Sequence, residues 1–146
     1  EKTLVILKPS CIERGLIGEV ISRFERKGLQ LAGMKMMHLT EEILNVHYAN
    51  LEDKPYFRRV KNSMKASPVI VQCWTGKNAV NAVRSIIGPT NGTIRGDLSM
   101  SSQENIVHAS DSVQSAAEEL KHFFAADEII DYTPVIMPFL YANDEI

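Results

Sequence analysis

Short apolar runs and helically spaced apolar stripes take turns along this chain, and that alternation limits the fold more than any other feature. Leu4–Leu7 is a continuous apolar run of buried-strand type. Leu16, Ile17, Val20, Ile21 and Phe24 then recur at helical spacing until Gly28 supplies a stop. Leu29–Leu39 reads as a second strand, and Thr40 as the N-cap of a helix that carries Glu41 and Glu42 in its first turn and reaches about Leu51. Asp53-Lys54-Pro55 breaks that helix, and a short one follows over Tyr56–Met64. Val69–Trp74 is a central strand, after which Ala79, Val80, Ala82, Val83, Ile86 and Ile87 stripe a helix closed by Gly88. Ile106–His108 is the last strand, and Ser110-Asp111-Ser112 opens a helix running to about Phe124. The order is βαββαβ with a helical hairpin inserted before the third strand. It predicts an α+β fold in which an antiparallel sheet carries helices on one face. The apolar tail Ile129–Tyr141 holds Pro134 and Pro138 and is predicted to be a non-helical strap over the core or a subunit contact.

With 146 residues, 45% of them hydrophobic, a single domain over residues 1–146 can bury a core of its own. The net charge of −2 argues against nucleic acid as a partner, because that needs a basic face. An anionic ligand must instead be gripped by cations gathered at one place. Cys11 and Cys73 form no disulfide framework and lie in no Cys-X-X-Cys pair. No charged, apolar leader and no long apolar run marks a secreted or membrane protein, so a reduced, cytoplasmic setting is expected.

The chemistry concentrates between residues 91 and 112. A Gly/Arg-rich loop leads into a short strand that ends at His108, and a helix start follows at once. A strand end facing a helix N-terminus gathers backbone N–H donors and positive dipole, which suits a phosphate. A histidine there is partly neutral near pH 7 and can act as a nucleophile. Lys8, Arg84, Thr90 and Arg95 all fall at the ends of elements, where a ligand can be held. Glu119 sits about two turns into the last helix, at the margin of its buried face beside Ala116 and Leu120, with Glu118 as its neighbour and competitor. Tyr56 and Val60 are one helical turn apart and face the same way. His38, His47 and His122 lack such surroundings. No carboxylate or cysteine stands at a spacing that completes a zinc site with them, so they receive no role and no metal ligand is assigned.

Gly92-Thr-Ile-Arg-Gly-Asp97, followed by Asn105-Ile-Val-His108-Ala-Ser110-Asp111-Ser112, resembles the signature of nucleoside diphosphate kinases. Thr3-Leu-Val-Ile-Leu-Lys8-Pro9, Arg14-Gly15-Leu-Ile-Gly18-Glu19, His47-Tyr48, Lys54-Pro55-Tyr56-Phe57 and Gly88-Pro-Thr90-Asn91 resemble that family too, in its order. The resemblance implies a ferredoxin-like fold and ping-pong transfer of the γ-phosphate of ATP, or another nucleoside triphosphate, to a nucleoside diphosphate through phospho-His108. It also implies that Glu119 and Ser110 orient the histidine, with Tyr48 beside it. Arg84, Thr90 and Arg95 would hold phosphates, Lys8 and Asn105 would reach the sugar 3′-hydroxyl and phosphate region, and Tyr56 and Val60 would clamp the base. Mg²⁺ is the expected cofactor, bridging phosphate oxygens and keeping much of its water, with Asp111 as one indirect contact. A homo-oligomer, hexamer or tetramer, is expected. The alternative is a catalytically silent, nucleotide-binding or regulatory homologue. Three positions depart from the family pattern: Ala109 stands for glycine, Lys54 for arginine, and the loop Gly88-Pro-Thr-Asn-Gly-Thr is several residues short. That loop contributes to a trimer contact in the family, so its shortening is expected to weaken the assembly while leaving catalysis in place.

Overall fold

The computed structural model describes residues 1–146. Four strands, β1 (Lys2–Leu7), β2 (Gln30–Met37), β3 (Val69–Thr75) and β4 (Val107–Ala109), form one antiparallel sheet in the order β2-β3-β1-β4. β1 is central, and its apolar run is buried on both sides, from Leu4 to Leu7. The pleat sends Val5 and Leu7 to one face and Leu4 and Ile6 to the other. A strand apolar on both faces needs cover on both. Helices therefore lie on the two faces of the sheet, where one was expected.

The first face carries α1 (Pro9–Glu13), α2 (Ile17–Lys27), α5 (Ala79–Ile87) and α6 (Ile94–Leu98) over a core that includes Phe24, Trp74, Val83 and Ile87. Phe24 and Trp74 meet with ring centroids 5.3 Å apart, and the Trp74 indole N–H donates to Gln72 Oε1 at 2.7 Å, so the buried polar pair is satisfied. The second face carries the hairpin α3 (Glu41–His47) and α4 (Phe57–Lys65), together with α7 (Val113–Phe123), through Leu44, Met64, Leu120 and Phe123.

Local chemistry explains most boundaries. Thr40 caps α3 by accepting from the Ile43 N–H at 3.2 Å, and Ser112 caps α7 by accepting from the Ser115 N–H at 3.0 Å. α3 stops at His47, and Ala49–Leu51 is a separate 3-10 turn instead of the expected continuation. β4 begins one residue later than the apolar pair suggested, because Ile106 has φ +61° and cannot join the ladder. α1 and α6 are five-residue helices, too short to show a period. In the tail, α8 (Met137–Leu140) replaces part of the expected irregular strap, with Pro138 placed in its first turn, where its missing N–H costs nothing. The rest does strap the sheet edge. The Ile130 N–H donates to the Ala32 carbonyl at 2.8 Å, and the Tyr132 hydroxyl to the Leu31 carbonyl at 2.7 Å.

Gly28 joins this tail to the body. It closes α2 at φ +108°, and a Cβ there would meet Leu140 Cδ2 at 2.5 Å. Gly28→Ala should destabilise by about 1 kcal/mol or more through the left-handed backbone alone. For a chain of this size that lowers Tm by roughly 3 °C per kcal/mol. An unchanged melting temperature by calorimetry would show that the cap is not strained by a side chain.

Candidate active site

His108 is the middle residue of β4 and pairs with Ile6 of the central strand, so the best-buried part of the sheet sets its backbone position. Its Nε2 lies 3.3 Å from Glu119 Oε1, and the same oxygen accepts from the Ser110 hydroxyl at 2.8 Å. Ser110 is wholly buried. Burial pushes the Glu119 carboxyl up, but the His108 hydrogen bond and charge and the Ser110 hydroxyl outweigh it and hold the group below the ordinary carboxylate range. A carboxylate at Nε2 keeps the proton there and leaves the lone pair on Nδ1. Glu118 makes no such contact and lies on the cavity wall, so the choice of Glu119 over its neighbour follows from geometry as well as register.

Two cavities meet at this histidine. The larger, of about 510 Å³, is lined by Arg84, Arg95, His108, Asp111, Glu118 and Glu119 among others. The smaller, of about 340 Å³, is lined by Lys8, Tyr56, Val60, Glu104 and Asn105. His108, Tyr48 and Leu51 border both. The larger half holds two guanidinium groups beside three carboxylates, and the smaller pairs Lys8 and Asn105 with the Tyr56 ring and Val60.

Neutral oxygen acceptors hold the cations in place. Arg84 donates to the Ala109 carbonyl at 3.3 Å and Arg95 to the Val107 carbonyl at 2.6 Å, so the two guanidinium groups engage the residues on either side of His108. Burial first and Arg84 second lower the pKa of Arg95. Lys8 Nζ donates to Asn105 Oδ1 at 2.7 Å, while the Lys8 N–H donates to the carbonyl of Ile106 at 2.9 Å. Burial, and then the nearby Arg95 charge, lower Lys8 to about 8, with Glu104 opposing. Tyr48 is pushed up to about 12 by burial and by Glu119, so its hydroxyl keeps its proton.

Most sequence candidates converge here: His108, Glu119, Ser110, Tyr48, Arg84, Arg95, Lys8, Asn105, Tyr56 and Val60. Thr90 does not. It lines neither cavity, and its carbonyl is engaged by the Thr93 N–H at 3.1 Å. Two features of the site carry no sequence signal. Ile106 is a buried, β-branched residue at positive φ directly before the site, for which no pattern gives a signal. His47, to which the sequence assigns no role, packs its ring edge-on against His108 at 4.8 Å and against Tyr48 at 4.6 Å. Both of its ring nitrogens are out of solvent and without a partner. Burial, then the His108 charge, lower it to about 4, so it is neutral at working pH.

The family model for nucleoside diphosphate kinase matches residues 1–129. The chain is 60% identical to a nucleoside diphosphate kinase of Parabacteroides distasonis over 151 residues, covering 99% of each chain. That alignment is longer than this chain, so the relative carries residues that are absent here. Human nucleoside diphosphate kinase A is 41% identical, with 97% of each chain covered. Among solved structures, a halophilic nucleoside diphosphate kinase from Halobacterium salinarum in complex with CDP superposes with a TM-score of 0.94 at 36% identity, covering 97% of this chain and 98% of that one.

Lys8 supplies a test that depends on the site alone. Its folded pKa lies below the ordinary 10.5, so between about pH 8 and 10.5 the unfolded chain binds more protons than the folded one. This group's penalty is thus fully present below pH 8 and is relieved as pH rises toward 10.5. Any anion held by the ammonium is released as pH rises through 8. A lysine side-chain NMR titration, assigned with Lys8→Met, should show one amine with a midpoint near 8; a midpoint near that of the exposed lysines would dismiss the buried environment.

Proposed function

The chain belongs to the nucleoside diphosphate kinase family, a family of phosphotransferases, and on that premise we propose that His108 Nδ1 is the atom that carries the phosphoryl group. The observation that carries this reading is the arrangement of the imidazole: Nε2 is committed to Glu119, and the ring stands where the two cavities join. The nucleoside occupies the smaller cavity, with its base against Tyr56 and Val60 and its sugar near Lys8 and Asn105. A ring that stacks on the face of a base reads little of its hydrogen-bonding edge, which suits turnover of all nucleoside triphosphates. The phosphates enter the larger cavity, where Arg84 and Arg95 exchange carbonyl partners for phosphate oxygens.

In the first half-reaction the Nδ1 lone pair attacks the γ-phosphorus, an N–P bond forms, and the P–O bond to the departing diphosphate breaks. The proton stays on Nε2, and Glu119 and Ser110 balance the charge that develops on the ring. In the second half a β-phosphate oxygen of another diphosphate attacks the same phosphorus and frees His108. Thr90 acts only if its loop moves toward the phosphates.

The family uses a divalent metal ion, and we assign Mg²⁺. Asp111 and Glu118 offer exposed, hard oxygen donors on the wall of the larger cavity, which fits an ion that keeps several waters. When bound it neutralises charge between phosphates. No helix is long and apolar enough to cross a membrane. The free, buried Cys11 and Cys73 support a reducing, cytoplasmic setting. The 146 residues act as one domain, and exposed Met34, Met36, Val135 and Phe139 support a homo-oligomer, hexamer or tetramer. The short loop after Gly88 lowers the stability of that assembly toward dissociation.

Incubation with γ-labelled ATP and Mg²⁺ should give an acid-labile, base-stable phosphoprotein, and His108→Ala should abolish it. Labelling of that variant at the wild-type level refutes the nucleophile, and a wild-type protein that binds nucleotide without labelling is the silent homologue. Glu119→Gln should slow labelling by on the order of tenfold or more, because the carboxylate no longer steadies the ring. Glu118→Gln should label normally, and an equal loss from both variants would show that neither acts through the imidazole.

A further inference from the structure

The second histidine beside the nucleophile is costly as it stands, since a buried polar ring with neither nitrogen bonded is a rare arrangement. Apolar rings would fill the space between Tyr48, His108 and Phe123 without that cost. Residues 47, 108 and 119 come from three elements and bring two imidazoles and one carboxylate together, with one donor atom of each within 4.8 Å of the others. Two imidazoles and a carboxylate are a donor set that suits Zn²⁺.

We propose that His47, His108 and Glu119 form a binding site for a borderline-soft divalent transition-metal ion, with Zn²⁺ as the type case, and that filling the site switches off phosphoryl transfer. The inhibitory part rests on Nδ1 of His108 being the nucleophile. His108 Nε2 and Glu119 Oε1, 3.3 Å apart, already stand at the separation that two ligands of a tetrahedral ion adopt with bonds of about 2.0–2.1 Å. His47 must turn to complete the set, and it gives up no hydrogen bond in doing so. An ion on Nε2 takes that lone pair and leaves the imidazole proton on Nδ1, the atom that must attack phosphorus. The larger cavity gives the ion a route from solvent. Arg84 and Arg95 oppose a dication there, and Glu119, Asp111 and Glu118 offset them. Mg²⁺ does not compete for the same place, because it prefers oxygen and water to imidazole.

Equilibrium dialysis of nucleotide-free protein against buffered Zn²⁺ tests the site directly, since nucleotides themselves chelate the ion. One tight ion per chain is expected, and Co²⁺ in its place should give the strong visible absorption of a four- or five-coordinate site. His47→Phe, which keeps a ring, and His47→Gln, which keeps an amide, should each weaken Zn²⁺ by roughly 100-fold, the upper end of what is lost when even a group that only orients a ligand is removed. Circular dichroism checks that both variants fold. Undiminished binding in both, or a loss in His122→Gln instead, overturns the site. With γ-labelled ATP, the Zn²⁺-loaded enzyme should label on the order of 100-fold more slowly or less, as sites locked in the wrong tautomer do, and a chelator should restore it. Equal labelling with Zn²⁺ bound overturns the inhibition. Zinc bound through His47 in a protein that never labels removes His108 as nucleophile and leaves the metal site standing.

Discussion

A half-buried carboxylate shared between a histidine and a serine is the contact on which the rest of this site depends. Glu119 is withdrawn from solvent, which by itself disfavours its charge, and His108 and Ser110 restore what burial removes. Ser110 follows β4 by one residue and Glu119 lies two turns into α7, so the contact is a statement about how that helix meets that strand. Ala116, Leu120 and Phe123 hold α7 to the second face of the sheet, and Ser112 fixes where the helix begins. The packing that stabilises the fold therefore also aims the imidazole. A shift of α7 would take a half-buried charge away from its partners, so the core and the site resist distortion together.

The cations obey the opposite logic. Burial first and a neighbouring guanidinium second lower the pKa of Lys8 and of Arg95, so these cations are held near one another at some cost. Each is meanwhile parked on a neutral acceptor: an amide oxygen or the carbonyl of a residue next to His108. The side chains are already tied to acceptors, Lys8 and Arg95 partly buried and Arg84 exposed, so a polyphosphate that replaces those acceptors meets a preorganised set of donors. Repulsion that the empty site bears is relieved by the ligand's own negative charge.

What was legible in the sequence follows from range. β1, α2, α5 and the caps at Thr40 and Ser112 depend on periodicity and on local hydrogen bonds, both of which the amino-acid order records. The apolar run Leu4–Leu7 already implied burial on both sides, and helices on both faces are its consequence. Glu119 was reached through motif register, and geometry then distinguished it from Glu118. His47 was beyond reach, because its neighbours lie at positions 108 and 123 and only the docking of α3 on α7 brings them together. Its place on a predicted helix fits a solvated or a structural ring equally, and tertiary packing decides for the second. The strain at Ile106 escaped for a related reason: a β-branched residue with φ +61° contradicts local preference and exists only because the Lys8 N–H and the start of β4 hold it from both sides.

The shape of the cleft also accounts for a covalent intermediate. The proposed reading gives one cavity to a nucleoside and one to its phosphates, and the two cavities join at a single imidazole. Donor and acceptor nucleotides carry the same parts and require the same places. On the proposed reading the two share one set of places and occupy them in turn, so the γ-phosphate of one does not meet the β-phosphate of the other. The phosphoryl group must wait on the protein while the nucleotides exchange. A nitrogen whose partner nitrogen is tied to a carboxylate is suited to that task, since the ring can take on positive charge during attack and lose it on release without moving a proton to solvent. Because either nucleotide leaves His108 in the same environment, forward and reverse transfers face the same groups, and one set of side chains serves both directions.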